Sequence, residues 1–179
     1  GYGLNTGMVE QLHAQGVRLL VTVDNGVAAH EALEKASELG VEVILTDHHT
    51  LPDSRPKALA LIHPATTPEN SPYDSLAGVG LAYVLARALA AELNKPESII
   101  TARDLFCIGT VADMAPLTGA NRTLLREGLS HLHRSNRHLL VAAMSPEPSC
   151  TDFFNTIRRS TGRRLRVILC ALQSVWNWT

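Results

Sequence analysis

The chain has 179 residues, enough for one domain or slightly more, and 45% of them are hydrophobic while 18% are charged. This composition excludes a disordered chain, and the formal net charge of −1 excludes a globally basic protein, although a local basic groove stays compatible with it. No apolar run reaches the roughly 18 residues that span a membrane. The three cysteines form no CxxC pair and no signal peptide opens the chain, so we expect a cytoplasmic protein.

The first part of the chain alternates strands and helices. Thr6 is expected to cap a first helix that ends at Gly16. Residues 17–23 are an apolar, β-branched run typical of a strand buried on both faces. Residues 28–39 form a helix, and residues 41–46 form the next strand. Residues 58–62 form a third strand. This order predicts βαβ units and therefore an α/β fold with a parallel sheet.

The second part is predicted to be helical and then to change character. A loop at 64–75 precedes helices at 77–93, 101–112 and 121–134. We assign residues 1–140 to one domain, 141–150 to a linker and 151–179 to an atypical basic tail, which has five arginines and one acidic residue.

Titratable side chains follow two of the predicted strands directly. Asp24 ends the first strand, and Asp47, His48 and His49 end the second. If the strands are parallel, these groups meet at the carboxyl edge of the sheet, where ligands bind in open α/β folds. Carboxylates with imidazoles suit Mn²⁺ or Mg²⁺, and a pair of such ions can serve phosphodiester hydrolysis. The alternative is that they are turn residues, which the Asp-Asn-Gly at Asp24 favours on its own.

Asp113 is a third candidate ligand. It lies at the carboxyl end of a predicted helix, where a negative charge opposes the helix dipole and so suggests a compensating cation. The alternative is a capped turn before Pro116.

Candidate phosphate contacts lie in the helical part. Asn121 and Arg122 could bind phosphate through the planar guanidinium, although an N-cap followed by a surface arginine explains them as well. Gly78 and Gly80 open a helix whose amides could bind a phosphate, although close helix packing also requires small residues. The other histidines, including His63, have no acidic partner at ligand spacing, and we interpret them as structural or surface residues.

Five motifs carry a family resemblance, in order and in register: GYGLN (1–5), VDNGV (23–27), TDHH (46–49), LAGVGLAYVL (76–85) and GTVADMAPLTGANR (109–122). Together, over residues 1–140, they closely resemble the RecJ branch of the DHH phosphoesterase superfamily. The resemblance implies a 5′→3′ exonuclease that degrades single-stranded DNA with Mn²⁺ or Mg²⁺ in recombination and repair; protein partners are not indicated.

The resemblance also implies roles for individual residues. Asp24 corresponds to the carboxylate that bridges two metals, and His48 and Asp113 to ligands of one of them. His49 corresponds to the residue that contacts the scissile phosphate or assists its leaving group. Asp47 is implied to orient the histidines from behind.

Two departures from the family pattern shape the expectations. The first family motif, an Asp-x-Asp, is not found in this sequence, so we expect a fragment that is inactive alone. From about residue 157 the family pattern is lost, and our hypothesis is an out-of-frame or interrupted reading; the rival is a genuine tail that binds DNA phosphates. The alternatives for function are a DHH phosphodiesterase acting on short oligonucleotides or cyclic dinucleotides, and an inactive truncated product.

Overall fold

The computed structural model describes residues 3–132 and the pair Ile168–Leu169. The described residues divide into two compact units, one from residues 3–66 together with Ile168–Leu169 and one from residues 67–132. The predicted linker at 141–150 lies outside the described residues, and so does the predicted tail apart from the Ile168–Leu169 backbone.

The first unit is built on a parallel sheet. Its order is α1 (Thr6–Ala14), β1 (Leu19–Val23), α2 (His30–Glu38), β2 (Glu42–Thr46), β3 (Ala60–Ile62) and a 3-10 turn at Pro64–Thr66, and Ile168–Leu169 forms β4. The strands lie in the order β3-β2-β1-β4, and every neighbouring pair is parallel. The prediction of βαβ units and a parallel sheet is therefore confirmed.

One face of the sheet carries the core of this unit. Leu20, Val43 and Leu45 are buried on the same face, in register across β1 and β2. They belong to one apolar cluster with the inward residues of α1 and α2, among them Val9 and Leu33. Val21 and Ile44, which alternate with them, are only half-buried. Strand β1 in the run at 17–23, predicted to be buried on both faces, is therefore buried on its second face only at its end, where Val23 is 4% exposed, while Val21 is half-buried.

Helix α1 begins after an Asn cap and ends before a glycine in the left-handed conformation. Asn5, not Thr6, is the N-cap, since its Oδ1 accepts the Met8 N–H over 3.0 Å and Thr6 is already the first helical residue. Asn and Thr both cap well, so the sequence alone did not separate them. Gly16 follows the helix with φ 82°, a left-handed conformation that favours glycine, as predicted.

The second unit contains three helices, α3 (Gly78–Glu92), α4 (Ile99–Ala112) and α5 (Gly119–Leu132), with a 3-10 turn at Pro96–Ser98 before α4. Helix α4 packs against both α3 and α5. The Tyr83 and Phe106 rings lie 5.0 Å apart at the α3–α4 contact, and a Cβ at Gly109 would come within 2.8 Å of Val79. Within the described residues, no helix is long and apolar enough to cross a membrane.

Candidate metal centre

The parallel register brings Asp24 and Asp47 to the same edge of the sheet. Val23, the last residue of β1, pairs with Thr46, the last residue of β2, so each aspartate is the first residue beyond its strand. The Asp24 N–H donates to the Thr46 carbonyl over 2.9 Å, which locks the two strand ends together. Asp24 has φ 63°, a left-handed conformation that aspartate tolerates better than most residues. The predicted convergence is confirmed.

Asp24 and His48 face each other across this edge. Nε2 of His48 lies 3.0 Å from Oδ1 of Asp24, and the two side chains are only 27% and 17% exposed. The contact lacks hydrogen-bond geometry, and Oδ1 of Asp24 is a buried oxygen that has no hydrogen-bond partner among the residues described. Burying a carboxylate oxygen costs folding free energy unless a cation or a hydrogen-bond donor interacts with it.

His49 joins this pair in a potential ligand group. Asp24, His48 and His49 each offer one ligand atom, and these atoms all lie within 4.8 Å of one another. One carboxylate oxygen and two imidazole nitrogens suit a divalent transition metal such as Mn²⁺. The buried carboxylate oxygen without a hydrogen bond and the donor set therefore fit a metal ion at this place.

Asp47 lies behind the group and does not face it. Its carboxylate is 1% exposed, and Oδ2 accepts the Val27 N–H over 3.0 Å. Oδ1 accepts the N–H groups of His48 and His49 over 2.8 and 3.2 Å, and it lies 2.6 Å from Nδ1 of the His49 ring. Burial by itself would raise the pKa of Asp47, but the hydrogen bonds from Val27 and His49 outweigh it and hold that pKa below its usual value. Asp47 is thus a charged buried anchor for the loop.

The His49 ring reaches outwards from this anchor. Its side chain is 59% exposed, and the contact with Asp47 uses Nδ1. This leaves Nε2 as the ring nitrogen for a metal or a substrate. The His48 and His49 rings lie 4.9 Å apart and tilted, so both face the same region.

Two residues that the sequence analysis treated only as parts of a turn shape this site. Oδ1 of Asn25 accepts the Leu4 N–H over 3.3 Å, while Nδ2 donates to the Val23 carbonyl over 3.0 Å. Gly26 has φ 116°, and a Cβ there would come within 2.7 Å of Leu45. The Asp-Asn-Gly signal predicted the turn correctly, but it contains no sign of these long-range contacts.

His63 is the other residue whose role the sequence did not show. It follows β3 and is 5% exposed, so it is not a surface residue. Its Nε2 lies 2.7 Å from the His49 carbonyl oxygen.

Asp113 lies in the second unit, directly after α4. Its side chain is exposed, and its N–H donates to the Gly109 carbonyl over 2.9 Å as the helix ends. The location at a helix carboxyl end agrees with the sequence analysis. Its role as a ligand stays a prediction.

The predicted phosphate contacts also lie in the second unit. Asn121 is fully buried, and its Nδ2 donates to the Ser75 and Pro116 carbonyls over 2.8 and 2.9 Å, while its Oδ1 has no hydrogen-bond partner among the described residues. A phosphate contact by Asn121 stays a prediction. Arg122 is exposed on α5.

Gly78 and Gly80 lie in the first turn of α3, and both are buried. A Cβ at Gly80 would come within 2.8 Å of Leu76, so packing alone requires a small residue there. A phosphate contact by either glycine stays a prediction.

Comparison with known proteins identifies the family. Residues 5–110 match the model of the N-terminal domain of the DHH family. The chain belongs to the DHH family. The matched residues include the whole ligand group of the first unit and the three-residue run of Asp47, His48 and His49.

The relatives of this DHH chain are exonucleases. It is 42% identical over 142 residues to the single-stranded-DNA-specific exonuclease RecJ of Escherichia coli, an alignment that covers 74% of the chain and 25% of that protein. A crystal structure of exonuclease RecJ bound to manganese matches 73% of the chain and 33% of its own length, with 41% identity and a TM-score of 0.64. RecJ of Thermus thermophilus in complex with Mn²⁺ matches with 38% identity and a TM-score of 0.63, over 73% of the chain and 19% of its own length. The chain thus spans about a quarter of the curated relative.

Proposed function

We propose that this chain carries part of the metal centre of a single-stranded-DNA exonuclease and that Asp24 and His48 hold a Mn²⁺ or Mg²⁺ ion in it. The observation that carries the proposal is the buried Oδ1 of Asp24, which lies 3.0 Å from Nε2 of His48 without a hydrogen bond to satisfy it. The lone pairs of the Asp24 oxygen and of the His48 nitrogen repel each other at 3.0 Å unless a proton or a cation lies between the two atoms. A divalent cation satisfies both.

The relatives support the identity of the ion and of the substrate. Two solved RecJ structures are described as bound to manganese. The curated relative from Escherichia coli is named as specific for single-stranded DNA. Family resemblance adds 5′→3′ polarity and assigns Asp24 as a bridging ligand and Asp113 as a further ligand. The odd number of cysteines, which fits a reducing compartment, supports a cytoplasmic location as part of the proposal.

The bound metal would supply Lewis-acid chemistry and make water acidic enough to serve as a nucleophile near neutral pH. The residues of the chain orient the reacting groups. The Asp47 carboxylate accepts a hydrogen bond from the N–H at Nδ1 of His49. The neutral His49 ring therefore has a lone pair at Nε2, and the protonated ring has an N–H there. His49 can therefore contact the scissile phosphate or pass a proton to the leaving oxygen, which is the role we propose for it.

The second unit would contribute phosphate contacts. The first-turn amides of α3 at Gly78 and Gly80, and the exposed guanidinium of Arg122, are the groups we propose for binding the DNA backbone. Asn121, whose Nδ2 holds the Ser75 and Pro116 carbonyls, is proposed as a further phosphate contact.

Metal binding by the purified chain is the first test. We expect one tight Mn²⁺ site by titration calorimetry and by the loss of the free Mn²⁺ signal in electron paramagnetic resonance. Asp24→Asn removes the charge at nearly constant volume and should abolish that site. Asp74→Asn, the same change at an exposed aspartate, is the matched control and should bind as the parent does. Equal Mn²⁺ affinity in all three proteins would refute the metal centre.

Catalysis is the second test. In a chimera, this chain replaces the aligned segment of Escherichia coli RecJ, and release of mononucleotides from 5′-phosphorylated single-stranded DNA is measured with Mn²⁺. We expect release that Asp24→Asn abolishes and Asp74→Asn preserves. A chimera that folds and binds Mn²⁺ but releases nothing would refute the nuclease proposal. Hydrolysis of dinucleotides without degradation of single-stranded DNA would instead favour a DHH phosphodiesterase of short oligonucleotides.

A further inference from the structure

His63 uses both of its ring nitrogens within the fold. Nδ1 accepts the Ala65 N–H over 3.0 Å, and Nε2 lies 2.7 Å from the carbonyl oxygen of His49. The backbone of His63 is held as well, because the Thr66 hydroxyl donates to its carbonyl over 2.7 Å. With 5% of its surface exposed, the ring has little freedom to turn.

These two contacts determine the tautomer of the ring. A backbone N–H can only donate, so Nδ1 of His63 must carry the lone pair that accepts it. A carbonyl oxygen can only accept, so Nε2 must carry the hydrogen. His63 is therefore neutral with its hydrogen on Nε2, and that hydrogen is donated to the His49 carbonyl.

His49 is consequently held at both ends of its backbone. Its N–H donates to Oδ1 of Asp47 over 3.2 Å, and its carbonyl accepts from His63 over 2.7 Å. The parallel sheet makes this possible, since the Asp47 N–H donates to the Ile62 carbonyl over 3.3 Å and so places the residue after β3 beside the loop after β2. Asp47 alone would leave the carbonyl side of this loop free to turn.

We propose that His63 is a positioning residue of the metal centre. It fixes the His49 peptide and thereby keeps the His49 ring in the ligand group, and this inference rests on the proposed metal-binding function of that group. His63 touches neither metal nor substrate. It acts through His49 alone.

The tautomer can be measured directly in the complete chain. A long-range nitrogen–proton correlation spectrum of the ¹⁵N-histidine-labelled protein at pH 8 distinguishes a hydrogen on Nε2 from one on Nδ1. We expect the Nε2–H pattern for His63, assigned through its loss in His63→Gln. An Nδ1–H pattern, or a charged ring, would overturn the proposal whatever the metal does.

Two substitutions separate positioning from packing. His63→Phe keeps an aromatic ring without hydrogen bonds, while His63→Gln keeps an amide donor that reaches the position of Nε2. We expect His63→Phe to weaken Mn²⁺ binding about tenfold to a hundredfold, the usual effect of losing a group that orients a metal ligand, and His63→Gln to recover most of it. The same two changes at His131, which is exposed on α5, are matched controls and should leave Mn²⁺ affinity unchanged.

The outcomes distinguish this proposal from the metal centre itself. If the parent chain binds no Mn²⁺, the proposed function fails. The positioning role is then judged by the NMR chemical shifts of the His49 ring. His63→Phe must change those shifts, while the shifts of the His13 ring must stay in place. Parent-like Mn²⁺ affinity in His63→Phe, or equal losses in the Phe and Gln variants, would overturn the positioning role. If His63→Phe does not fold, as judged by amide dispersion, the His63→Gln affinity and the parent tautomer decide.

Discussion

Replacing Asp47 with asparagine should release the loop at residues 47–49 without removing any proposed metal ligand. The change is nearly isosteric, so packing is kept. Asparagine accepts only through Oδ1, and its Nδ2 must then face a donor. If Oδ1 stays with His48 and His49, Nδ2 meets the Val27 N–H across the present 3.0 Å contact, and that buried N–H loses its acceptor.

The magnitude follows from these contacts. A buried hydrogen bond to a charged group contributes about 1.5–3 kcal/mol, and an unsatisfied buried donor costs about 1–3 kcal/mol. We therefore expect Asp47→Asn to lower the free energy of unfolding by about 3 kcal/mol at pH 7. For a folded part of this size, that corresponds to a fall in Tm of roughly 6–12 °C.

The effect should also depend on pH. Hydrogen bonds hold the folded pKa of Asp47 below its usual value, so the carboxylate stabilises the fold above the ordinary aspartate pKa of about 3.9. That contribution is lost as pH falls through the lower folded pKa. The difference between the parent and Asp47→Asn should accordingly be constant from pH 5 to 7 and shrink in more acidic solution.

Urea unfolding followed by circular dichroism at 222 nm measures both effects. Asp74→Asn serves as the control, because it removes the same charge from an exposed position. A change of less than about 0.5 kcal/mol in Asp47→Asn, which is typical of surface substitutions, would refute the anchoring role. A difference that grows as pH falls would contradict the assigned direction of the pKa shift.

Three further predictions concern other parts of the chain. Gly26→Ala should destabilise the protein by about 2 kcal/mol and weaken Mn²⁺ binding, because φ is 116° and the new Cβ would come within 2.7 Å of Leu45; parent-like urea unfolding would contradict this. Asn5→Ala should cost about 1 kcal/mol in thermal unfolding, whereas Thr6→Ala should change little, and the reverse order would contradict the observed cap. Cys107 is 1% exposed, and burial raises the pKa of its thiol. In a chain with the other two cysteines replaced by serine, Cys107 should react with a thiol reagent far more slowly in buffer than in urea. Equal reaction rates would show that the thiol is accessible in the folded protein.

The strands and their direction could be predicted because the signals are local. Apolar, β-branched runs interrupted by one helical stretch predict a parallel pair, and the structure confirms it in β1 and β2. The observed strands are shorter than the apolar runs: β1 begins at Leu19 and β2 at Glu42. The apolar runs extend before the first strand residues, since Val17 and Val41 are buried without being part of a strand. Strand ends therefore depend on pairing, which no single run contains.

The meeting of Asp24 with His48 also followed from sequence order. Asp24 is the first residue after β1 and His48 is the second residue after β2, and the carboxyl ends of neighbouring parallel strands share an edge. The distance of 3.0 Å and the carboxylate oxygen without a hydrogen bond could not be predicted, because they depend on the left-handed backbone of Asp24 and on the register of the sheet.

The sequence by itself thus determined the family, the α/β architecture and the identity of the residues at the metal edge, since each rests on local patterns and motif spacing. Only the tertiary structure decided what supports them. Asp47 is a buried acceptor for Val27, Asn25 ties the turn to Leu4, and His63 holds the His49 carbonyl. Each of these contacts joins residues at least 14 positions apart in the sequence. Hydrogen bonds over such separations depend on how the strands align, and this alignment produces no periodic pattern in the amino-acid sequence.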